Sequence, residues 1–375
     1  MEENLFMSLY LLFIFLIILF IGIIMPRLIR KEIVFGVRVP QDKINLKEIK
    51  DIKKKYIINN LIIGVPVIIL FTLLNYKFSS TGMILFTTFG FMFIHYLIYI
   101  MSNKAVKNLK QQQNWFEGKK QSVTIDTNFS REKINTIISP WFFIIPVIMI
   151  VINIILEYKY YNSLPNKVPI HWDFSGNITG YSNKSIFLIW DMPLVQIFIT
   201  FIFFIVYKGI GWSKQQISSF NPKSSVEKNK IFRRVWSIYM TFFCILINCM
   251  LTMGTLQRYN VFHISSKLYT TVSIAFLVLV FCSIIIISIK LGQGGANVKL
   301  PGKEEKNEFS SRDNDDDSYW KFGIIYYNRN DPSIFVEKRF GIGWTINAGS
   351  PVGMAIYIGI IVLIIISLIA PKLFK

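Results

Sequence analysis

Eight separate stretches of about 20 mostly apolar residues recur along this chain, which is more hydrophobic helix than a water-soluble domain can cover. They run approximately over Leu5–Met25, Ile57–Tyr76, Gly82–Met101, Ile138–Glu157, Ile186–Tyr207, Val235–Gln257, Leu268–Ile289 and Pro351–Ala370. A helix of that length rises about 30 Å, enough to cross the hydrocarbon core of a bilayer. Lipid offers backbone N–H and C=O groups no partner, so such spans fold as helices. The expected fold class is an all-α polytopic membrane protein of about eight transmembrane helices. Charged residues make up 17% of the chain, against roughly 25% in soluble domains. The first run follows the acidic start Met1-Glu2-Glu3-Asn4, and no small-x-small cleavage site comes after it. That pattern reads as a retained span rather than a signal peptide.

The net charge of +19 would suit a nucleic-acid partner, but its distribution points to lipid instead. From the first connection onward, Lys plus Arg number ten, one, seven, three, seven, two and nine, with two in the tail. One alternating set therefore holds 33 of the 41 and the other holds 8. The positive-inside rule places the richer set in the cytoplasm, with both termini and the loop at 158–185 outside. No direct nucleic-acid partner is expected; the bilayer is.

These features divide the chain into five regions. Residues 1–137 hold three spans and basic connections. Residues 138–210 hold two spans around the outer loop at 158–185. Residues 211–289 hold two further spans, 290–350 a linker with a small strand-rich module, and 351–375 the last span. Ile33–Val39 is β-branched and strand-like. Asn45 is placed to cap a surface helix through Lys54, with its lysines near anionic lipid. Pro146 predicts a kink in the fourth span. His95 and Asp191 are the ionisable candidates inside spans. His95 reads as a functional group or as a hydrogen-bonded helix contact. Asp191 reads as lining a shallow outward cavity or as reaching for the interface. Gly349 and Gly353 have the spacing of a close helix contact.

In the last connection the acids of Asp313 and Asp315–Asp317 precede the piece at Tyr319–Asn347. That piece reads as a three-stranded β-meander, its first strand alternating through Trp320, Phe322, Ile324 and Tyr326. About thirty residues cannot fold alone without disulfides or metal, so the module should dock on Ile33–Val39, the other strand-like inner segment. Cys244, Cys249 and Cys282 all lie in apolar runs and read as small buried hydrophobes. No zinc spacing, Walker loop, zincin motif or nucleophile elbow is present, so no catalytic residue, metal or cofactor is expected and the chain reads as non-enzymatic. His171 and His263, with Asp173 or Glu157, do not make a diagnostic metal set.

The polar island Leu164–Lys184, LPNKVPIHWDFSGNITGYSNK, interrupts this apolar pattern. Pro165 and Pro169 deny it a helix, and Gly176 and Gly180 supply turns. Between them stand His171, Trp172 and Asp173. The order Leu-Pro-x-x-x-Pro-x-His-aromatic, then Gly and Gly-Tyr, resembles the signature of a bacterial membrane domain of unknown function, DUF1648, found in SdpI-like proteins. Phe35–Pro40 is similar to a piece near the N-terminus of such proteins. Trp320, Tyr327, Asn328, Asp331, Lys338, Arg339, Trp344 and Asn347 resemble a second small uncharacterised domain, DUF5808-like. SdpI-like proteins are implicated in resistance to an extracellular peptide toxin and in holding a repressor at the membrane. The resemblance therefore implies a plasma-membrane protein for immunity to or sensing of an extracellular toxin peptide, or for sensing envelope stress, with an extracellular peptide toxin and a cytoplasmic repressor or other regulatory protein as partners. A transporter or channel-like protein is the alternative, and a membrane enzyme a third.

Overall fold

The computed structural model describes residues 2–78, 80–116, 136–172, 177–217, 222–259, 261, 265–300 and 315–373. Seven helices among these are long and apolar enough to cross a membrane. The spanning helices are α1 (Glu2–Leu28), α2 (Lys47–Lys77), α3 (Thr81–Gln112), α4 (Ile144–Tyr160), α5 (Leu188–Trp212), α6 (Pro222–Arg258) and α7 (Ser266–Leu291). The eighth apolar run forms α8 (Pro351–Leu373). The chain is thus a mostly helical, polytopic membrane protein with small strand pairs.

Several local expectations are corrected. The lysine-rich stretch before the second span is not a separate surface helix. It is the start of α2, because Lys47 to Tyr56 contains no breaker and all its residues tolerate helix. The residue before that helix is Leu46, and Asn45 does not cap it. Pro146 lies in the first turn of α4, where its missing N–H has no intrahelical partner to lose, so it needs no kink. Cys244 is buried, whereas Cys249 and Cys282 are exposed on their helices.

The chain divides into two compact units. One contains Met1–Ile125, Ser213–Asn229 and Ser288–Lys375. Its helices α1, α2 and α3 close on a core of Leu11, Phe15, Leu19, Ile68, Phe71 and Phe91. Ile33–Val39 is not one strand. It folds back as β1 (Ile33–Val34) and β2 (Val37–Arg38), because Phe35 and Gly36 both take positive φ and reverse the chain. The C-terminal module is likewise not a three-stranded meander. The run from Trp320 to Tyr326 reverses at Phe322-Gly323, again at positive φ, giving β5 (Trp320–Lys321) paired with β6 (Ile325–Tyr326). A second pair follows, β7 (Phe335–Glu337) with β8 (Trp344–Ile346), turned by Gly341 and Gly343 at φ +97° and +100°.

The other unit contains Asp126–Trp212 and Lys230–Ile287. Here α4 packs on α5, and the connection between them is the two-stranded antiparallel sheet β3 (Lys167–Trp172) and β4 (Ile178–Asn183).

Candidate functional site

The sheet β3–β4 stands on a rigid base. After α4 a 3-10 turn, Tyr161–Ser163, leads to Leu164, which is buried with Val168, Leu188 and Tyr259. Lys184 closes the loop: its Nζ donates to the carbonyls of Asn162 (3.1 Å) and Leu164 (3.0 Å), and its backbone N–H to Asn166 (2.8 Å). Pro165 opens this base. Pro169 sits within β3 opposite Tyr181, and the register shifts between Pro169 and His171. A proline cannot donate to a ladder, which suits the edge of a two-stranded sheet. His171 pairs with Gly180, where an added Cβ would stand 3.1 Å from the Cβ of His171. The glycine therefore makes room for the histidine, which is exposed. Trp172 ends β3. Asp173, Gly176 and His263 lie outside the described residues.

Within the same unit a polar cluster fills the space among α4, α5 and α6. Asn153 and Glu157 lie one turn apart on one face of α4. Asn153 Nδ2 lies 3.2 Å from Glu157 Oε1, 3.1 Å from Gln196 Oε1 and 3.2 Å from Thr255 Oγ1. Thr255 Oγ1 donates to Glu157 Oε1 at 3.2 Å. Gln196 Nε2 donates to the Asn248 carbonyl and to Thr252 Oγ1, and Asn248 Nδ2 donates to Thr200 Oγ1. The side chains of Asn153, Glu157, Gln196 and Asn248 belong to residues with no solvent exposure. Interhelical hydrogen bonds of this kind contribute about 1 kcal/mol each, so the group fixes which faces of the three helices meet.

Asp191 pairs with Arg258, the last residue of α6. It accepts from both directions of Arg258 Nη1, at 2.8 and 2.6 Å to its two oxygens. His95, in the other unit, packs against Tyr56 with ring centroids 6.4 Å apart and lies against Gly22. In the sequence Asn153 and Gln196 are single polar residues within apolar runs. The spacing of Asn153 with Glu157, and of Asn248 with Thr252 and Thr255, is the signal that could have joined them.

The module in the first unit is held by a second polar group. The Arg339 guanidinium is fully buried, pairs with both Asp316 and Asp317, donates to the Gly36 carbonyl (3.1 Å) and lies 5.1 Å from the Trp320 ring centre. Arg38 donates from Nε to Asp316 (2.8 Å) and from its backbone to Asp317 (3.0 Å). Lys110 reaches Asp315 (2.7 Å) and Asp317 (2.5 Å). The expected docking on the N-terminal strands is therefore present, as packing and not as an extended sheet. Tyr99 Oη lies within hydrogen-bond reach of the carbonyls of Phe35 and Phe322, and Phe340 packs on Phe35 and Tyr99.

Inside the module Asn347 ties the turn. Its Nδ2 donates to Asn328 and Asp331 carbonyls, and its Oδ1 accepts from the backbone of Asn328 and Gly349. Asp331 accepts from Tyr326 and Lys214. Glu337 pairs with Arg30 and Asn229. Arg329 donates to the Tyr327 hydroxyl on the surface. Burial pushes the Lys338 amine below its ordinary range. Trp344 opens β8 and is half-buried. Gly349 and Gly353 serve this module rather than a helix pair: added Cβ atoms would meet Asn328 and Asn347 backbone at 2.6 and 2.0 Å.

Burial opposes ionisation of Asp316, but the Arg339 and Arg38 guanidiniums outweigh it and hold the carboxyl well below the usual range. A carboxylate depressed in the folded state contributes stability above its ordinary pKa of about 4, and that contribution is lost as pH falls through the lowered value. Protease resistance of the module should stay flat from neutral pH to about pH 4 and fall below it. Asp316→Asn should lower resistance at neutral pH and flatten the acid limb. An onset near about pH 6 would assign the acid sensitivity to a histidine instead.

No curated protein and no solved structure matches the chain. Two segments match families. Residues 148–197, which span most of α4, the β3–β4 sheet and the first half of α5, match the domain of unknown function DUF1648. Residues 329–354, from the turn before β7 into α8, match the family of unknown function DUF5808, so this membrane protein carries one DUF1648 segment and one DUF5808 segment.

Proposed function

We propose that the chain is a non-enzymatic sensor or immunity protein of the bacterial plasma membrane, which takes an apolar segment of an extracellular peptide, such as a peptide toxin, on the β3–β4 sheet. The observation that supports this reading is a two-stranded sheet with no third strand beside it among the described residues. Val168 is buried in the base, but three other apolar side chains are exposed: Ile170 and Ile178 at 41% and Tyr181 at 57%. An edge of this kind can accept an extended peptide through main-chain hydrogen bonds, with alternate side chains giving specificity. The base tied by Lys184 means that the sheet need not order itself on binding, which reduces the entropic cost. The distribution of Lys and Arg supports an outer position for this sheet and an inner one for the module. A cytoplasmic regulatory protein is the partner proposed at the module.

The test uses strains lacking the protein and complemented with variants, challenged with envelope-active peptides from their natural neighbours. Tyr181→Asp should abolish protection at least about tenfold in peptide dose, while immunoblots of the membrane fraction stay unchanged. Full protection by this variant, at equal abundance, would remove the sheet from the reading. A transporter is the second reading, and the polar cluster of α4, α5 and α6 is what favours it. Uptake by proteoliposomes that Glu157→Gln eliminates would select it.

A further inference from the structure

Glu157 is the acidic member of the polar cluster, and its hydrogen bonds account for only one of its oxygens. Its Oε1 accepts from Asn153 and Thr255, but its Oε2 is buried with no partner. Asn153 Oδ1 and Asn248 Oδ1 are buried without partners as well. The cation that acts on Glu157, Arg258, is already engaged by both oxygens of Asp191. None of the ion pairs among the described residues involves Glu157. An ionised carboxylate enclosed by helices, without a counter-charge, costs several kcal/mol. The neighbours are neutral amides and hydroxyls, which suit a neutral acid: two donors reach the carbonyl-type oxygen Oε1 and none reaches Oε2.

We propose that Glu157 is an intramembrane proton-binding site, with the proton on Oε2 and Oε1 held as the carbonyl by Asn153 and Thr255. Proton uptake forms one O–H bond at Oε2 and neutralises the carboxylate, and no other bond changes. It also converts an acceptor without a partner into a donor, in a cluster that holds two further acceptors without partners, Asn153 Oδ1 and Asn248 Oδ1, and the buried Tyr259 hydroxyl, which has no partner either. The titratable and charged groups around the site are Asp191 on α5, Arg258 at the end of α6, and Tyr259 just after it, with Tyr161 and, on α7, Tyr269 near that group. Arg258 offsets part of the Asp191 charge at Glu157. Loss of the proton places a bare charge beside Asn153 on α4 and Thr255 on α6, the two residues that donate to Oε1. The site is independent of whether a peptide binds the β3–β4 sheet.

The experiment is infrared difference spectroscopy of the full-length protein in lipid nanodiscs, stepped from about neutral to alkaline pH with choline as the only added cation. A protonated carboxylic acid shows a carbonyl band separate from carboxylate bands. The proposal expects that band at neutral pH, its absence in Glu157→Gln, and a shift to higher frequency in Thr255→Val, which removes one donor to Oε1. The glutamine variant replaces one neutral group by another and should elute from a sizing column as the wild type does. Should it fail to fold, the Thr255→Val shift decides the assignment alone. A carboxylate band at neutral pH that Glu157→Gln removes would overturn the proposal. So would a protonated-acid band that neither variant alters. Loss of the band on adding sodium at constant pH would overturn it too, in favour of a metal-cation site.

Discussion

Arg339→Ala is expected to release the strand-rich module from the β1–β2 hairpin. Arg339 is fully buried and bridges Asp316, Asp317 and the Gly36 carbonyl, so its removal leaves two carboxylates partly buried with fewer counter-charges. Breaking one side of a buried pair costs about 3–5 kcal/mol. Arg38 and Lys110 still neutralise part of that charge, which places the expected loss toward the lower end. In hydrogen exchange, amides of residues 33–38 and 320–346 should exchange at least about a hundredfold faster. Arg339→Lys should rescue little, because a compact ammonium lacks the two separated guanidinium nitrogens, of which Nη2 reaches Asp316 while Nη1 reaches Asp317 and the Gly36 carbonyl. Unchanged exchange in both segments would mean that the network is not what holds the dock.

The second large effect is steric. Gly36 has φ +78°, and a Cβ there would stand 2.6 Å from the Cα and carbonyl oxygen of Gly323 and from Tyr99 Oη. Gly343 has φ +100°, yet nothing lies within 4 Å of the place its Cβ would take. Both alanine variants carry the backbone cost of left-handed φ, about 1–2 kcal/mol. Only Gly36→Ala must also push two backbones apart. Its unfolding midpoint should therefore fall several degrees further than that of Gly343→Ala, read by thermal denaturation of the purified protein in detergent. Equal shifts would show that Gly36 serves the turn by its conformation alone and not by the close approach to Gly323.

The spans were legible because each depends only on a local run of apolar residues. The β3–β4 sheet was not. Pro165 and Pro169 read as breakers, whereas Pro169 fits an edge strand whose lost N–H had no partner to find. The three-stranded reading of the module failed at Phe322, a non-glycine residue at φ +54° that no propensity anticipates. The docking segment Ile33–Val39 was identified by its β-branched composition, but the acids that fix it were read only as a run. Their partners are far along the chain: Arg38 lies 279 residues from Asp317 and Lys110 lies 205 from Asp315. Pairings over such separations leave no local trace. The cluster of Asn153, Glu157, Gln196 and Thr255 was missed because each residue alone is an ordinary polar interruption of a span.

The proposed function places the β3–β4 sheet and the module on opposite faces of one membrane, and labelling of single cysteines in intact cells measures this directly. In a chain with Cys244, Cys249 and Cys282 replaced, Asn177→Cys at the turn before β4 should react with a membrane-impermeant maleimide without permeabilisation. Lys321→Cys, exposed on β5 in the module, should react only after the membrane is opened. Reaction of both cysteines from the same side would contradict the account, because a sheet and a module on one face cannot carry a signal across the bilayer.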